Sequence, residues 1–344
     1  MKKIRVLVVD DSKMFREVLA DGINSDPSLE VVATAADVYE ARDAIIKYRP
    51  DVMTLDVEMP GMSGIEFVRR LLPQYTIPVV MVSSLNEAVF DAIAAGAVDF
   101  VNKPVLQSPD SLALFVKNEL NAKIKIASIA KVTVKPVRAA RSGNGQVNAS
   151  DSRIIAIGAS TGGTEAILSV VSSFTKDYPG TVVVQHMPAG FTKMYAERLN
   201  RECEVTVQEA KDGDIVERGK VLIAPGELQM RVVKTADGYA VKCQEGPKVS
   251  GHCPSVDVMF ESVSRAAGHN AIGVILTGMG ADGAEGLLKM RKAGAFTIGE
   301  NERSCVVYGM PKVAKDKGGV EDELSLDDIP QKIHEILKYS EIRH

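Results

Sequence analysis

Four short apolar runs in the first third of the chain, IRVLVVDDS, PDVMTLD, IPVVMVSS and AVDFVNKP, each end on polar or charged side chains and are separated by amphipathic stretches. Runs of this length read as strands buried on both faces, and their alternation with helical stretches implies a parallel sheet. Parallel order sends every strand tip to one edge, the carboxyl edge, where open α/β folds bind ligands. Asp10 and Asp11 close the first run, and Asp56 closes the second, ahead of a turn through Pro60, Gly61 and Gly64. Ser83 and Ser84 close the third, and Lys103 with Pro104 the last. Three carboxylates, a hydroxyl and an ammonium are thereby expected at one spot.

Clustered carboxylates repel one another unless a hard cation sits among them, and one or two carboxylates with water and phosphate oxygens is a usual magnesium environment. The pattern predicts magnesium-assisted phosphoryl chemistry. Asp56 attacks, Asp11 and Asp56 hold the metal with Asp10 acting mainly through water, Lys103 neutralises the transferred group and Ser83 hydrogen-bonds it. Singly, Asp10 or Asp11 would read as a helix N-cap and Lys103 as a solvated lysine; it is their joint placement that carries the prediction. On these five positions, in this order, residues 1–122 resemble the response-regulator receiver family. The resemblance adds the backbone carbonyl of Glu58 as a metal ligand and places Phe100 at the family's aromatic switch position.

A chain of 344 residues is long for one domain and comfortable for two. Residues 1–122 carry 12 basic and 18 acidic side chains, residues 123–150 carry 6 basic and none acidic, and residues 151–344 carry 23 and 27. The large second part is mildly acidic, which argues against nucleic acid as a partner. The basic stretch, KIKIASIAKVTVKPVRAARSGNGQVNAS, loses helical periodicity as Ser, Gly and Asn accumulate, and reads as a connector over 123–150, helical at its start. Cys203, Cys243, Cys253 and Cys305 have neither CxxC nor Cys/His spacing, so neither a zinc site nor a disulfide framework is expected. The first apolar run is too short for a signal peptide and no stretch approaches a membrane span, so a cytoplasmic protein without membrane insertion is expected.

After the connector, RIIAIGASTGGTEAILSVVSSF reads as a buried strand, a glycine-rich turn and a helix. A dinucleotide-binding turn needs GxGxxG and an acidic residue at the end of the next strand, but the turn is GASTGG and the next strand, GTVVVQHM, ends in Gln185 and His186. Gly158 to Gly162 instead fits GxSxG, which exposes a serine hydroxyl on a strand-to-helix turn. If neighbouring strands are parallel, His186 lies beside Ser160, and a third strand, NAIGVILTG, brings Asp282 to the same edge. Serine becomes a useful nucleophile when an imidazole takes its proton and a carboxylate orients that imidazole. Ser160, His186 and Asp282 are therefore the expected triad, with the amides of Thr161 and Met279 as oxyanion donors and Gly162 near them. Ser160 as a cap, His186 as a satisfied strand-end residue and Asp282 as a turn residue are the plainer alternatives. His252 is the rival base and Asp257, expected in the first turn of a helix, the rival acid.

The segments GASTGG, VVQHMPAGFT, GHCPSVDVMF and LTGMGADGAEG resemble the catalytic domain of the chemotaxis protein-glutamate methylesterases, the CheB family. The resemblance implies hydrolysis of glutamate γ-methyl esters on methyl-accepting chemoreceptors with release of methanol, and in some members deamidation of receptor glutamines. It implies a histidine kinase as phosphodonor, Mg2+ for receiver phosphorylation and no cofactor for the ester chemistry. The expected architecture is α/β: a five-stranded parallel (βα)5 receiver over 1–122 and a doubly wound, Rossmann-like, mostly parallel esterase domain over 151–344. The unphosphorylated receiver is expected to obstruct the Ser160 edge, and phosphorylation of Asp56 to relieve it. Two other functions compete: a phosphorylation-controlled binding module with an inactive second domain, and a nucleotide-dependent oxidoreductase.

Overall fold

The strand cores of both halves are almost wholly buried, and helices cover both faces of each sheet. The computed structural model describes residues 2–84, 87–104, 109–132 and 153–338. The chain divides into two units, Met1–Pro136 and Val137–His344. Residues 133–150 of the expected connector lie outside the described residues.

In the first unit five parallel strands, β1 (Ile4–Val9), β2 (Leu29–Ala35), β3 (Val52–Asp56), β4 (Val79–Ser83) and β5 (Asp99–Asn102), are ordered β2-β1-β3-β4-β5. The crossovers are α1 (Lys13–Asn24), α2 (Val38–Tyr48), α3 (Gly64–Leu71) and α4 (Ala88–Ala94). Each of the first three starts on a side chain that accepts orphan amides: Ser12 from Phe15, Asp37 from Tyr39 and Glu40, and Ser63 from Glu66. A last helix, α5 (Pro109–Phe115), passes through a π-helical turn at Val116–Leu120 into α6 (Asn121–Ala127). Ile124 and Ala127 are fully buried, so α6 packs as part of this unit.

The second unit has seven parallel strands: β6 (Ile154–Ala159), β7 (Thr181–Gln185), β8 (Thr206–Glu209), β9 (Lys220–Ile223), β12 (Ala271–Ile275), β13 (Phe296–Glu300) and β14 (Asp322–Leu324). Between β9 and β12 an antiparallel ribbon, β10 (Gln229–Thr235) and β11 (Gly238–Gln244), stands apart. Sheet order is β14-β13-β12-β6-β7-β9-β8. The helices are α7 (Gly163–Val171), α8 (Phe191–Glu202), α9 (Val256–Ala266), α10 (Ala284–Lys292), α11 (Met310–Asp316) and α12 (Ile329–Lys338). Both sheets match the expected doubly wound α/β class. Strand order reverses between β1 and β3 in the first sheet and between β6 and β12 in the second, and such reversals leave a crevice at the carboxyl edge. Among the described residues no helix is long and apolar enough to cross a membrane, and no disulfide joins the cysteines.

Helix α9 meets the sheet at an unusually close point. A Cβ on Gly158 of β6 would fall 2.2 Å from Val256 Cγ1, at the first residue of α9. The missing side chain lets the helix N-terminus seat on the strand tip. Gly158→Ala is expected to lower the stability of the second unit by about 1–3 kcal/mol, the usual cost of an overpacked core, read as a lower urea midpoint for its unfolding transition.

Candidate active site

The crevice at the β1/β3 reversal collects the acidic groups of the first unit. Asp10, Asp11 and Asp56 each bring a carboxylate oxygen within 4.8 Å of the others. Lys103 Nζ donates to Asp10 Oδ2 at 2.7 Å and Asp56 Oδ2 at 2.8 Å, and lies 4.2 Å from the Phe15 ring centre. Burial pushes the Asp10 carboxyl up, against the pull of Lys103; for Lys103 burial works downward, but the two carboxylates outweigh it and hold the ammonium up. One ammonium among three carboxylates still leaves two negative charges, and an all-oxygen donor set of that charge suits a hard divalent cation.

Ser83 ends β4 almost wholly buried, its hydroxyl donating to the Ser84 carbonyl at 3.1 Å. Phe100 is 6% exposed and packs edge-on to Phe90 at 6.0 Å, turned into the unit. The Glu58 amide donates to Asp56 Oδ1 at 3.2 Å, so the turn after β3 folds back over that carboxylate.

At the β6/β12 reversal, the β6–β7 register ends at Ala159 opposite Gln185, and the His186 amide donates to the Ala159 carbonyl at 3.1 Å. Ser160 and His186 are therefore neighbours across two strand tips, with Cα atoms about 5 Å apart by sheet spacing. From the other side, the Ser160 amide donates to Thr277 O at 3.0 Å, so the loop after β12 also ends on the serine. His186 Nε2 lies 2.8 Å from Asp282 Oδ2.

Asp282 is 1% exposed, and its carboxylate is saturated with donors. Oδ1 accepts from Ser255 Oγ at 2.7 Å and the Asp257 amide at 3.1 Å, and Oδ2 accepts from the Val256 amide at 2.7 Å besides His186. These amides open α9, whose dipole also favours a negative charge there. Burial works to raise the Asp282 carboxyl, but His186, Ser255 and the Asp257 amide outweigh it and hold it below the usual range. An ionised carboxylate can only accept, so Nε2 is the ring nitrogen that donates in this pair. Nδ1 is buried and without a hydrogen-bond partner.

His252, the rival base, stacks on His186 with ring centres 3.6 Å apart and planes 7° from parallel. Asp257, the rival acid, accepts the Gly286 amide at 2.7 Å, which ties it to α10. The Thr161 carbonyl accepts Thr277 Oγ1 at 3.0 Å, and Met279 stands at the rim, 42% exposed, two residues beyond the carbonyl that receives the Ser160 amide. Sequence patterning gave no role to Ser255, Gln185, Thr277 or Glu300. For Ser255 a signal existed, since a serine ahead of VDVMF has the form of a helix cap; the others act through tertiary contacts that leave no local pattern.

A CheB methylesterase family model matches residues 155–333 and a response regulator receiver domain model matches residues 6–115. The chain belongs to the CheB methylesterase family. A relative from Syntrophomonas wolfei named protein-glutamate methylesterase/protein-glutamine glutaminase 2 is 58% identical over 337 residues, covering 98% of both chains. The protein-glutamate methylesterase/protein-glutamine glutaminase of Escherichia coli K12 is 46% identical over 340 residues, with 97% of both covered. Among solved structures, the catalytic domain of Thermotoga maritima CheB methylesterase aligns at a TM-score of 0.52 and 37% identity, over 54% of this chain and 98% of that one.

Beneath the CheB site, Glu300 ends β13 with Oε2 accepting the Thr277 amide at 2.8 Å and Oε1 buried without a partner. Burial pushes its carboxyl up to about 7, against the Thr277 amide. A carboxyl raised in the folded state adds stability at pH values below its ordinary 4.5, and that stability is lost as pH rises through about 7. Glu300→Gln has no such dependence. The stability of the variant relative to wild type is expected to improve by on the order of 3 kcal/mol from pH 4 to pH 8, measured by denaturant unfolding across that range.

Proposed function

We propose that this chain is a protein-glutamate methylesterase, with glutaminase capacity, whose turnover on chemoreceptors is raised by phosphorylation of Asp56. The observation that carries it is the His186–Asp282 pair at 2.8 Å, with the second imidazole nitrogen buried, unpartnered and on the strand tip next to Ser160. A base held by a carboxylate next to a serine is what acyl transfer draws on.

In the first half-reaction, Ser160 Oγ bonds to the ester carbonyl carbon while His186 Nδ1 takes the hydroxyl proton and Asp282 stabilises the imidazolium. The carbonyl oxygen, now negative, is received by the Thr161 and Met279 amides. Collapse breaks the bond to the methoxy group, which leaves as methanol with the proton from His186. Water then repeats the sequence on the acyl-serine and yields a glutamate carboxylate and free Ser160. With a glutamine side chain the leaving group is ammonia and the same proton transfers apply.

In the receiver, Asp11 and Asp56 with the Glu58 carbonyl would hold Mg2+, Asp10 acting through water. When bound, the ion neutralises charge on the transferring phosphoryl group. Asp56 takes the phosphoryl group from a histidine kinase, Lys103 pairs with its oxygens and Ser83 hydrogen-bonds it.

Methanol release from methylated receptor fragments, followed with and without acetyl phosphate and Mg2+, tests both halves. Ser160→Ala is expected to lower turnover by roughly 10⁴-fold or more. Asp56→Asn is expected to be insensitive to acetyl phosphate. Undiminished turnover in the first variant would remove the esterase assignment in favour of a binding module, and full acceleration in the second would remove Asp56 as the acceptor.

A further inference from the structure

Gln185 is the last residue of β7, 4% exposed, and none of the chemistry above uses it. Its amide nitrogen donates to two backbone carbonyls at once: Ser160 O at 2.9 Å and His186 O at 3.2 Å. Those are the main chains of the nucleophile and of the base. The backbone ladder between β6 and β7 stops at the His186 amide, after which one chain turns into α7 and the other toward α8. Beyond that rung, the Gln185 side chain spans both strand tips.

The packing is arranged to admit that side chain at a cost. Gly163 begins α7, and a Cβ there would lie 2.2 Å from Gln185 Oε1, so any other residue would displace the amide. Oε1 is itself buried with no partner. A buried acceptor left unpaired is unfavourable, and an apolar side chain of the same shape would avoid the loss. An apolar side chain would also lose both donated bonds, so what the glutamine achieves for its one unpaired acceptor is the fixing of two carbonyls against each other.

Building on the esterase chemistry proposed above, we propose that Gln185 is a positioning residue, whose side-chain amide clamps the Ser160 and His186 backbones at the separation that proton transfer needs. It touches neither substrate nor the reacting atoms. It acts on the rate of the acyl-transfer step, which is sensitive to displacements well under the size of an atom, and leaves substrate docking alone.

The test uses the full chain activated with acetyl phosphate and Mg2+. Gln185→Met keeps the shape and removes the donor, and Gln185→Glu keeps the shape and turns the donor into an acceptor facing two carbonyls. Three quantities are read: kcat and KM for methanol release from methylated receptor fragments, the labelling rate of Ser160 by a fluorophosphonate probe, and Tm. For Gln185→Met the expected result is a kcat lowered at least about tenfold, KM within twofold of wild type, labelling slowed by a similar factor, and Tm within a few degrees. Gln185→Glu should lose kcat and labelling at least as severely. Wild-type kcat and labelling in either folded variant overturn the proposal, as does a loss that appears only in KM or only in proportion to unfolded protein. Absence of both methanol release and labelling in the wild-type chain overturns the esterase assignment, and the clamp with it. Loss confined to the variants leaves the assignment standing and supports the clamp.

Discussion

The Asp282 carboxylate is the anchor of the second unit's edge. Four donors from two separate parts of the chain converge on it: the His186 ring at the tip of β7, and at the start of α9 the Ser255 hydroxyl with the two amides that follow it. A buried charge is tolerable only when satisfied in this way. The same bonds that stabilise it fix α9 against the loop after β12 and fix the tautomer of His186. Because its lone pairs are occupied by donors, the carboxylate is poorly placed to take a proton from the imidazole. In the proposed mechanism it serves as a fixed negative charge beside the imidazolium.

Much of this was legible in the sequence because parallel α/β folds convert chain order into position. An apolar run followed by a polar residue names a strand tip, and tips of parallel strands share an edge, so Asp56, Lys103, Ser160 and His186 could be placed without coordinates. Strand β2, LEVVATA, gave a weaker signal because it lies at the sheet margin and is only partly buried. What could not be read was which distant strand flanks which. β12 sits beside β6 although more than a hundred residues separate them, the contact of Glu300 with Thr277 follows from the β12–β13 pairing, and that of Ser255 with Asp282 joins the start of α9 to the loop after β12. His252 shows the same limit: local pattern marked it as a competing base, whereas its ring lies flat on His186.

The two crevices solve opposite electrostatic problems. In the receiver, three carboxylates share one lysine and the cluster keeps excess negative charge, a state suited to recruiting a divalent ion and then a phosphoryl group. At the second site the Asp282 carboxylate is fully compensated, and the imidazole nitrogen of His186 is among the buried polar atoms without a partner. One site is built to attract charge, the other to pass a proton.

Asp99 on β5 adds a mechanical link. Its carboxylate accepts the Phe100 amide at 2.8 Å through Oδ1 and Lys123 of α6 at 2.7 Å through Oδ2. The described part of the first unit closes with α6, so the strand bearing Phe100 is tied to that closing helix. One carboxylate thus joins β5 to the last helix before residue 133 through two hydrogen bonds.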